Sequence, residues 1–270
     1  MKELIKKYSL GAFLGGVILF LTLPFISIIL WSIGKNWAWP DLLPARWSFQ
    51  AWRYLLANHG NMLEAVFNSF LMAAIVTVVV TIISIPAAKT LALDQFRGKR
   101  LVEILIFLPI IVPPIAVVMG VHHIFIKAGI ADTFIGVVLA HLIPTTPYMV
   151  RVLKTVYAVV GDKMEEQSRA LGASGWQTFR YITFPMIVPG IITGGVLVFL
   201  ISLSQYLLTF LIGGGRIVTL PLVLLPYVNS GNRPLAAVLS LVFTVPGIFI
   251  ILATEFYLKK RYKDIDLYFV

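Results

Sequence analysis

The sequence predicts an all-α integral membrane protein with six transmembrane helices, forming one transmembrane domain over residues 1–270. Hydrophobic residues make up 59% of the chain and charged residues only 13%, whereas a soluble globular domain has about 25% charged residues. Long apolar runs recur, each close to the roughly 20 residues that a helix needs to cross the hydrocarbon core. The predicted spans are 10–33, 66–88, 104–126, 133–150, 187–212 and 235–258.

The first apolar run resembles a secretory signal, because Lys2, Lys6 and Lys7 precede it. The run covers 24 residues, which is longer than the apolar core of a signal peptide, and no convincing small-residue cleavage site follows it. We therefore expect an uncleaved membrane span.

The basic residues predict the orientation of the chain. If the six spans alternate, sixteen of the 22 Lys and Arg residues fall in segments on the same side of the membrane as the N-terminus. The positive-inside rule places that side in the cytoplasm, with both termini. The net charge of +10 is then explained by insertion and by contact with anionic lipid in the bilayer, and we expect no nucleic acid partner.

The first outer loop, 34–65, is rich in tryptophan, with Trp37, Trp39, Trp47 and Trp52. Tryptophan prefers the membrane–water interface, so part of this loop is expected to lie flat on the outer surface. A lid that contacts a partner protein is the alternative interpretation.

Prolines interrupt two of the predicted spans: Pro109, Pro113 and Pro114 in the third, and Pro144 and Pro147 in the fourth. Prolines are tolerated in a span when neighbouring groups satisfy the freed carbonyls. The pattern fits either broken helices that line a passage or simple packing kinks.

The spans lack the groups that several function classes need. All twelve acidic residues fall in loops, tails or span ends, whereas ion-coupled transporters use ionisable groups inside the membrane. Of the histidines, only His122, His123 and His141 lie within spans, and the adjacent pair points to different helix faces, which argues against a shared metal site. The chain has no cysteine, which excludes disulfides and thiolate metal sites.

The sequence contains no phosphate-binding loop, so we expect no bound cofactor and no ATP hydrolysis by this chain itself. An intramembrane serine hydrolase would require His141 to face Ser202 or Ser204 inside the bundle. The spacing permits this pairing, but no nucleophile motif surrounds either serine.

A polar, helix-forming segment, EEQSRALGASGWQTFRYITFP, separates the fourth and fifth spans at residues 165–185. Asp162 is a predicted N-cap, and Glu165 is placed to complete a capping box with it. Met164, Ser168 and Leu171 are predicted to share one helical face.

The segment from Gly172 to Gly175 is predicted to end this helix, because glycine adopts backbone angles that other residues avoid. An apolar stripe then restarts at Trp176, Phe179, Ile182 and Met186 and leads into the fifth span. The shape implied is a surface helix, a turn of small residues and a second helix entering the membrane. It suits either a helix resting on lipid or a docking surface for a partner.

The segment resembles the signature of permeases from binding-protein-dependent ABC importers, which reads E-A-A, three residues, G, nine residues, I, one residue, L-P. The matching residues in this sequence are Glu166-Gln167-Ser168, Gly172, Ile182 and Phe184-Pro185. Gln167 and Ser168 replace small alanines, and Phe184 replaces leucine. The resemblance extends from about Asn68 to Tyr257.

The resemblance implies the type I ABC importer permease fold in a bacterial inner membrane. In that family the segment is a cytoplasmic coupling helix that docks on an ATPase dimer, which binds the ATP. A second permease subunit, identical or related, and an extracytoplasmic solute-binding protein complete the assembly. The coupling loop would be 161–185, with contacts from Met164, Glu166, Ser168, Ala170, Leu171, Gly172, Ala173 and Ser174.

The region from Ser202 to Ser240 resembles the branch of permeases for spermidine and putrescine, which also includes iron, thiamine and phosphonate relatives. The predicted pathway residues are Asn68, Ser69, Ser202, Ser204, Gln205, Tyr206 and Thr209. Helix–helix hydrogen bonding is the alternative role for the serines and threonines. A small polar solute such as a polyamine is the expected substrate, and a secondary transporter or channel is the alternative from another class.

Overall fold

The computed structural model describes residues 2–37, 41, 43–57 and 59–262, with side chains described except at 2–10, 12 and 59–61. Trp39 of the predicted interfacial loop lies outside these residues. The chain forms two compact units. One contains the chain up to Leu63 together with Val223–Pro246, and the other contains Glu64–Leu222 and the chain from Gly247 onward.

The first unit begins with a long apolar helix and a short hairpin. The two strands pair antiparallel, with Gly34 opposite Trp47 and Lys35 opposite Arg46. The rings of Trp31 and Trp37 stack with centroids 4.3 Å apart. The elements are α1 Lys2–Ile33, β1 Gly34–Lys35, β2 Arg46–Trp47 and α2 Gln50–Ala57.

Helices make up nearly all of the remaining chain, as the composition predicted. Five described helices are long and apolar enough to cross a membrane, or six spans if one bent pair counts as a span. They are α3 His59–Leu93, α4 Lys99–Ile111, α5 Pro114–Lys127, α6 Phe134–Val160, α7 Lys163–Ala170, α8 Gly175–Thr178, a π-helical segment Phe179–Thr183, α9 Phe184–Leu203, α10 Leu207–Ile212, α11 Leu220–Asn229 and α12 Arg233–Arg261.

The bent pair occupies the predicted third span, 104–126. The chain bends by 106° between helices α4 and α5. The break falls at Val112 and Pro113, whose ψ angles of 136° and 129° are extended. Each of these residues precedes a proline, and the proline ring disfavours the helical conformation of the residue before it. Of the two interpretations of these prolines, a broken helix is therefore the one observed in the third span. Pro144 and Pro147, by contrast, lie inside the uninterrupted α6.

The predicted fifth span, 187–212, also differs from the structure. Helical backbone runs from Gly175 to Leu203, and a separate short helix begins at Leu207. The prediction was wrong in treating 187–212 as one helix, because apolar composition continues through Leu207–Ile212 and hydropathy does not report backbone continuity.

The core of the second unit includes an extensive contact between α6 and α9. Small residues permit this approach. A methyl group at Gly190 would come within 2.7 Å of Val156 Cγ2, and one at Gly194 within 2.6 Å of Met149 Sδ. At these two glycines, the backbone of α9 therefore packs directly against side chains of α6.

Candidate functional site

The 161–185 loop joins α6 to α9 and contains the predicted turn. Helix α7 ends at Ala170, and Gly172 follows with a φ of +89°. The Gly172 N–H donates to the Arg169 carbonyl at 2.9 Å, and the Ala173 N–H donates to the Ser168 carbonyl at 3.0 Å. This pair of bonds is a Schellman ending, which needs a left-handed residue at the position of Gly172. The helix therefore stops where the glycine predicted.

The capping box lies at a different place from the predicted one. Asp162 is the N-cap residue of α7, as predicted, but its side chain makes no cap hydrogen bond, so the predicted capping box with Glu165 was wrong. The box is formed by Ser174 and Gln177 at the start of α8: the Ser174 N–H donates to Gln177 Oε1 at 2.8 Å, and the Gln177 N–H donates to Ser174 Oγ at 3.3 Å. It fixes the entry of the chain into the helix that continues to Leu203.

The buried face of α7 is polar. Glu165 and Ser168 are buried, while Met164 and Leu171 are 54% and 89% exposed, so the predicted shared face of Met164, Ser168 and Leu171 was wrong. Ser168 Oγ donates to the Glu165 carbonyl at 2.9 Å and lies 2.8 Å from Thr178 Oγ1. The contact between Ser168 and Thr178 holds α7 against α8.

Glu165 has three polar partners around its carboxylate. Lys89 Nζ lies 2.5 Å from Oε2, Thr183 Oγ1 donates to Oε1 at 2.7 Å, and Arg169 Nη2 lies 3.5 Å from Oε2. Burial by itself raises the pKa of Glu165, but the hydrogen bonds from Lys89 and Thr183 and the charges of Lys89 and Arg169 outweigh it and lower the pKa. The carboxylate is therefore ionised at neutral pH.

The loop also exposes large apolar side chains. Leu171, Tyr181 and Trp176 are 89%, 73% and 69% exposed. Leu171 directly precedes the exposed Gly172 in the sequence, and Trp176 and Tyr181 follow it. Of the predicted coupling residues, Ser168 is buried and Ala173 is half-buried, and the others are exposed: Met164, Glu166, Ala170, Leu171, Gly172 and Ser174.

Two of the predicted pathway residues, Ser202 and Thr209, bind His141. His141 Nδ1 lies 3.0 Å from Ser202 Oγ, and His141 Nε2 lies 3.0 Å from Thr209 Oγ1. All three side chains are buried. The imidazole thus joins the end of α9 to α10 across the helix break. The pairing of His141 with Ser202, which the spacing permitted, is present, and Ser202 and Thr209 make the helix–helix hydrogen bonds that were their alternative role. The contact of His141 with Thr209 was not predicted.

The Ser202–His141 pair has the arrangement that an intramembrane hydrolase would need. The second imidazole nitrogen, however, faces the Thr209 hydroxyl and not the carboxylate of a catalytic triad. Both members are at most 4% exposed. The hydrogen bonds thus tie α6, α9 and α10 together. Among the described residues, no group of three or more His, Asp or Glu side chains is arranged to hold a metal ion.

The other predicted pathway residues fall into two groups. Asn68 Nδ2 donates to the Val218 carbonyl at 3.1 Å, and Ser69 Oγ accepts from the Leu220 N–H at 2.8 Å. These two residues of α3 therefore hold the segment that enters α11. Ser204 is exposed, and Gln205 and Tyr206 are half-buried at the break after α9. That these three line a pathway stays a prediction.

Residues 82–264 match the model of a protein family described as the inner membrane component of binding-protein-dependent transport systems. The chain belongs to this family. The permease is 25% identical over 253 residues to the spermidine/putrescine permease PotC of Haemophilus influenzae, covering 93% of this chain and 96% of the relative. It is 30% identical over 200 residues to the molybdate/tungstate permease WtpB of Thermococcus kodakarensis, covering 71% and 77%.

The fold of the permease matches a solved structure. A chain of a bacterial ABC transporter that imports alginate superposes with a TM-score of 0.74 at 17% identity, over 95% of this chain and 98% of that one. The predicted type I ABC importer permease fold is confirmed, and the protein is a permease subunit of an ABC importer.

Proposed function

We propose that the permease docks on a cytoplasmic ABC ATPase dimer through the 161–185 loop and forms half of a solute pathway that a second permease subunit completes. The observation that carries the proposal is the exposure of Leu171, Trp176 and Tyr181 in the segment that contains the Gly172 turn. Large apolar side chains exposed on a polar segment mark a candidate interaction site. A solute-binding protein on the opposite side delivers the solute.

The proposed substrate class is a polyamine. The PotC relative aligns over almost the whole chain. Aromatic faces attract cations, and the stacked rings of Tyr206 and Phe210, 5.6 Å apart at the helix break, offer such a face. The WtpB relative makes an oxyanion the competing substrate. Uptake of putrescine, spermidine and molybdate by the reconstituted importer, each measured with the other two as competitors, decides between a polyamine and an oxyanion.

Orientation is tested by labelling single cysteines in intact cells. Cysteines at Arg97 and Arg169 are expected to be shielded from membrane-impermeant reagents, because the basic segments lie on the inner side. A cysteine at Ser230, exposed between α11 and α12, is expected to react. Labelling of position 169 from outside would reverse the proposed orientation.

Dependence on an ATPase is tested by reconstitution. The purified permease is expected to hydrolyse no ATP, because its sequence contains no phosphate-binding loop. Hydrolysis and uptake are expected only when the ATPase and a complete permease pair are both present in the liposomes. Uptake by the permease alone would identify a secondary transporter or channel instead.

A further inference from the structure

A single buried carboxylate connects the 161–185 loop to two membrane helices. Glu165 in α7 binds Lys89 near the end of α3 and Thr183 at the entrance to α9. Lys89 lies 76 residues away in sequence, so the contact with α3 is independent of the chain connections of the loop. The loop is therefore fixed to α3 as well as to α6 and α9.

The π-helical segment Phe179–Thr183 creates the second half of this connection. The Phe184 N–H donates to the Phe179 carbonyl, which adds one residue to the turn. In a regular α-helix, residues five apart point about 140° away from each other. Here Thr178 and Thr183 both face α7, where they bond Ser168 and Glu165. Single π-turns of this kind are frequent at functional sites.

The charge pair is poorly suited to a purely stabilising role. The Glu165 side chain is 8% exposed and that of Lys89 is 33% exposed. Desolvation offsets much of the attraction in a buried pair, so such pairs add little net stability, and their best-attested use is in fixing register and switching. A fixed position of α7 relative to α3 is what a segment that couples an ATPase to the membrane helices would require.

We propose that the Lys89–Glu165–Thr183 contact passes displacements of α7 to α3 and α9, which makes Glu165 and Lys89 positioning residues for transport. This inference rests on the proposed docking of the loop on an ATPase. It assigns to α3, a helix outside the loop, a direct part in the response of the permease to the ATPase.

The test measures solute transported per ATP hydrolysed in liposomes containing the complete importer, with retention of the ATPase during purification as the measure of docking. Lys89→Met is expected to retain the ATPase but to lower this ratio about tenfold, which is within the usual range of coupling between sites. Lys89→Arg is expected to keep the wild-type ratio, because arginine also places a positive charge next to the Glu165 carboxylate. Glu165→Gln is expected to behave like Lys89→Met.

The matched control is the ion pair between Lys154 of α6 and Glu103 of α4, which is also 2.5 Å long and also joins two helices. Lys154→Met is expected to leave the ratio near that of the wild type. An unchanged ratio in Lys89→Met, or an equal fall in Lys154→Met, would overturn the inference. If Lys89→Met does not accumulate, the ratio of Glu165→Gln decides in the same way. Failure of the wild-type permease to retain the ATPase would contradict the proposed docking instead.

Discussion

Replacing Gly172 with Asp is expected to abolish transport and ATPase stimulation while leaving membrane insertion and permease pairing intact. Gly172 has a φ of +89°, where a side chain costs about 1–2 kcal/mol. Space is not the obstacle, because a Cβ at this position meets no atom within 4 Å. The larger effect comes from a charge placed in the proposed docking contact, where an unpaired buried charge costs several kcal/mol.

Gly98 provides a matched control for this substitution. Its φ is +87°, a Cβ there also meets no atom within 4 Å, and it is exposed before α4. Gly98→Asp introduces the same strain and the same charge outside the 161–185 loop. Transport by Gly98→Asp is expected to stay within about twofold of the wild type, because strain of about 1–2 kcal/mol is smaller than the roughly 5–15 kcal/mol that stabilises a native domain.

Uptake, stimulated ATPase activity and ATPase retention are measured for both glycine variants. Gly172→Asp is expected to lose all three, and Gly172→Ala, which adds strain without charge, is expected to lose little. Wild-type uptake by Gly172→Asp would mean that the loop rests on lipid. Equal losses in Gly172→Asp and Gly98→Asp would assign the effect to backbone strain or charge alone.

Replacing His141 with Leu is expected to destabilise the permease by about 2 kcal/mol, because two buried hydrogen bonds are lost at about 1 kcal/mol each. The imidazole is the bridge between Ser202 and Thr209 across the break after α9. Without it α10 loses its polar tie to α6. A lower midpoint of thermal unfolding in detergent and reduced uptake are the expected results.

Thr146→Val is the control for His141→Leu. Thr146 lies in the same helix, and its hydroxyl donates to the Leu142 carbonyl of its own helix at 2.7 Å. Its loss is expected to cost less than about 0.5 kcal/mol, as for other substitutions that break no tertiary contact. Equal thermal midpoints for the two variants would show that His141 is not a tie between helices.

The sequence predicted those features that depend on composition or on local backbone chemistry. Apolar length predicted the spans because the bilayer sets the length of a helix. Gly172 predicted the end of α7, because a left-handed ending is a property of the glycine itself.

The features that the sequence failed to predict depend on distant partners. Periodicity placed Met164, Ser168 and Leu171 on one face of α7, because side chains at i, i+4 and i+7 follow the helical repeat. The buried residues of α7 are Glu165 and Ser168 instead, and Lys89 supplies the counter-charge for Glu165 from α3. The helix break at Ser204 was missed because apolar composition continues through it, and the contact of Ser202 with His141 joins residues 61 positions apart in the sequence.

The close approach of α6 and α9 at Gly190 and Gly194 has a mechanical consequence. The gaps beside Val156 and Met149 are too small for a methyl group, so neither helix can slide along the other without a clash. We therefore expect α6 and α9 to move as one body. On the proposed docking, a displacement of the 161–185 loop is then expected to reach the break after Leu203, roughly 30 Å away along the 20 residues of α9.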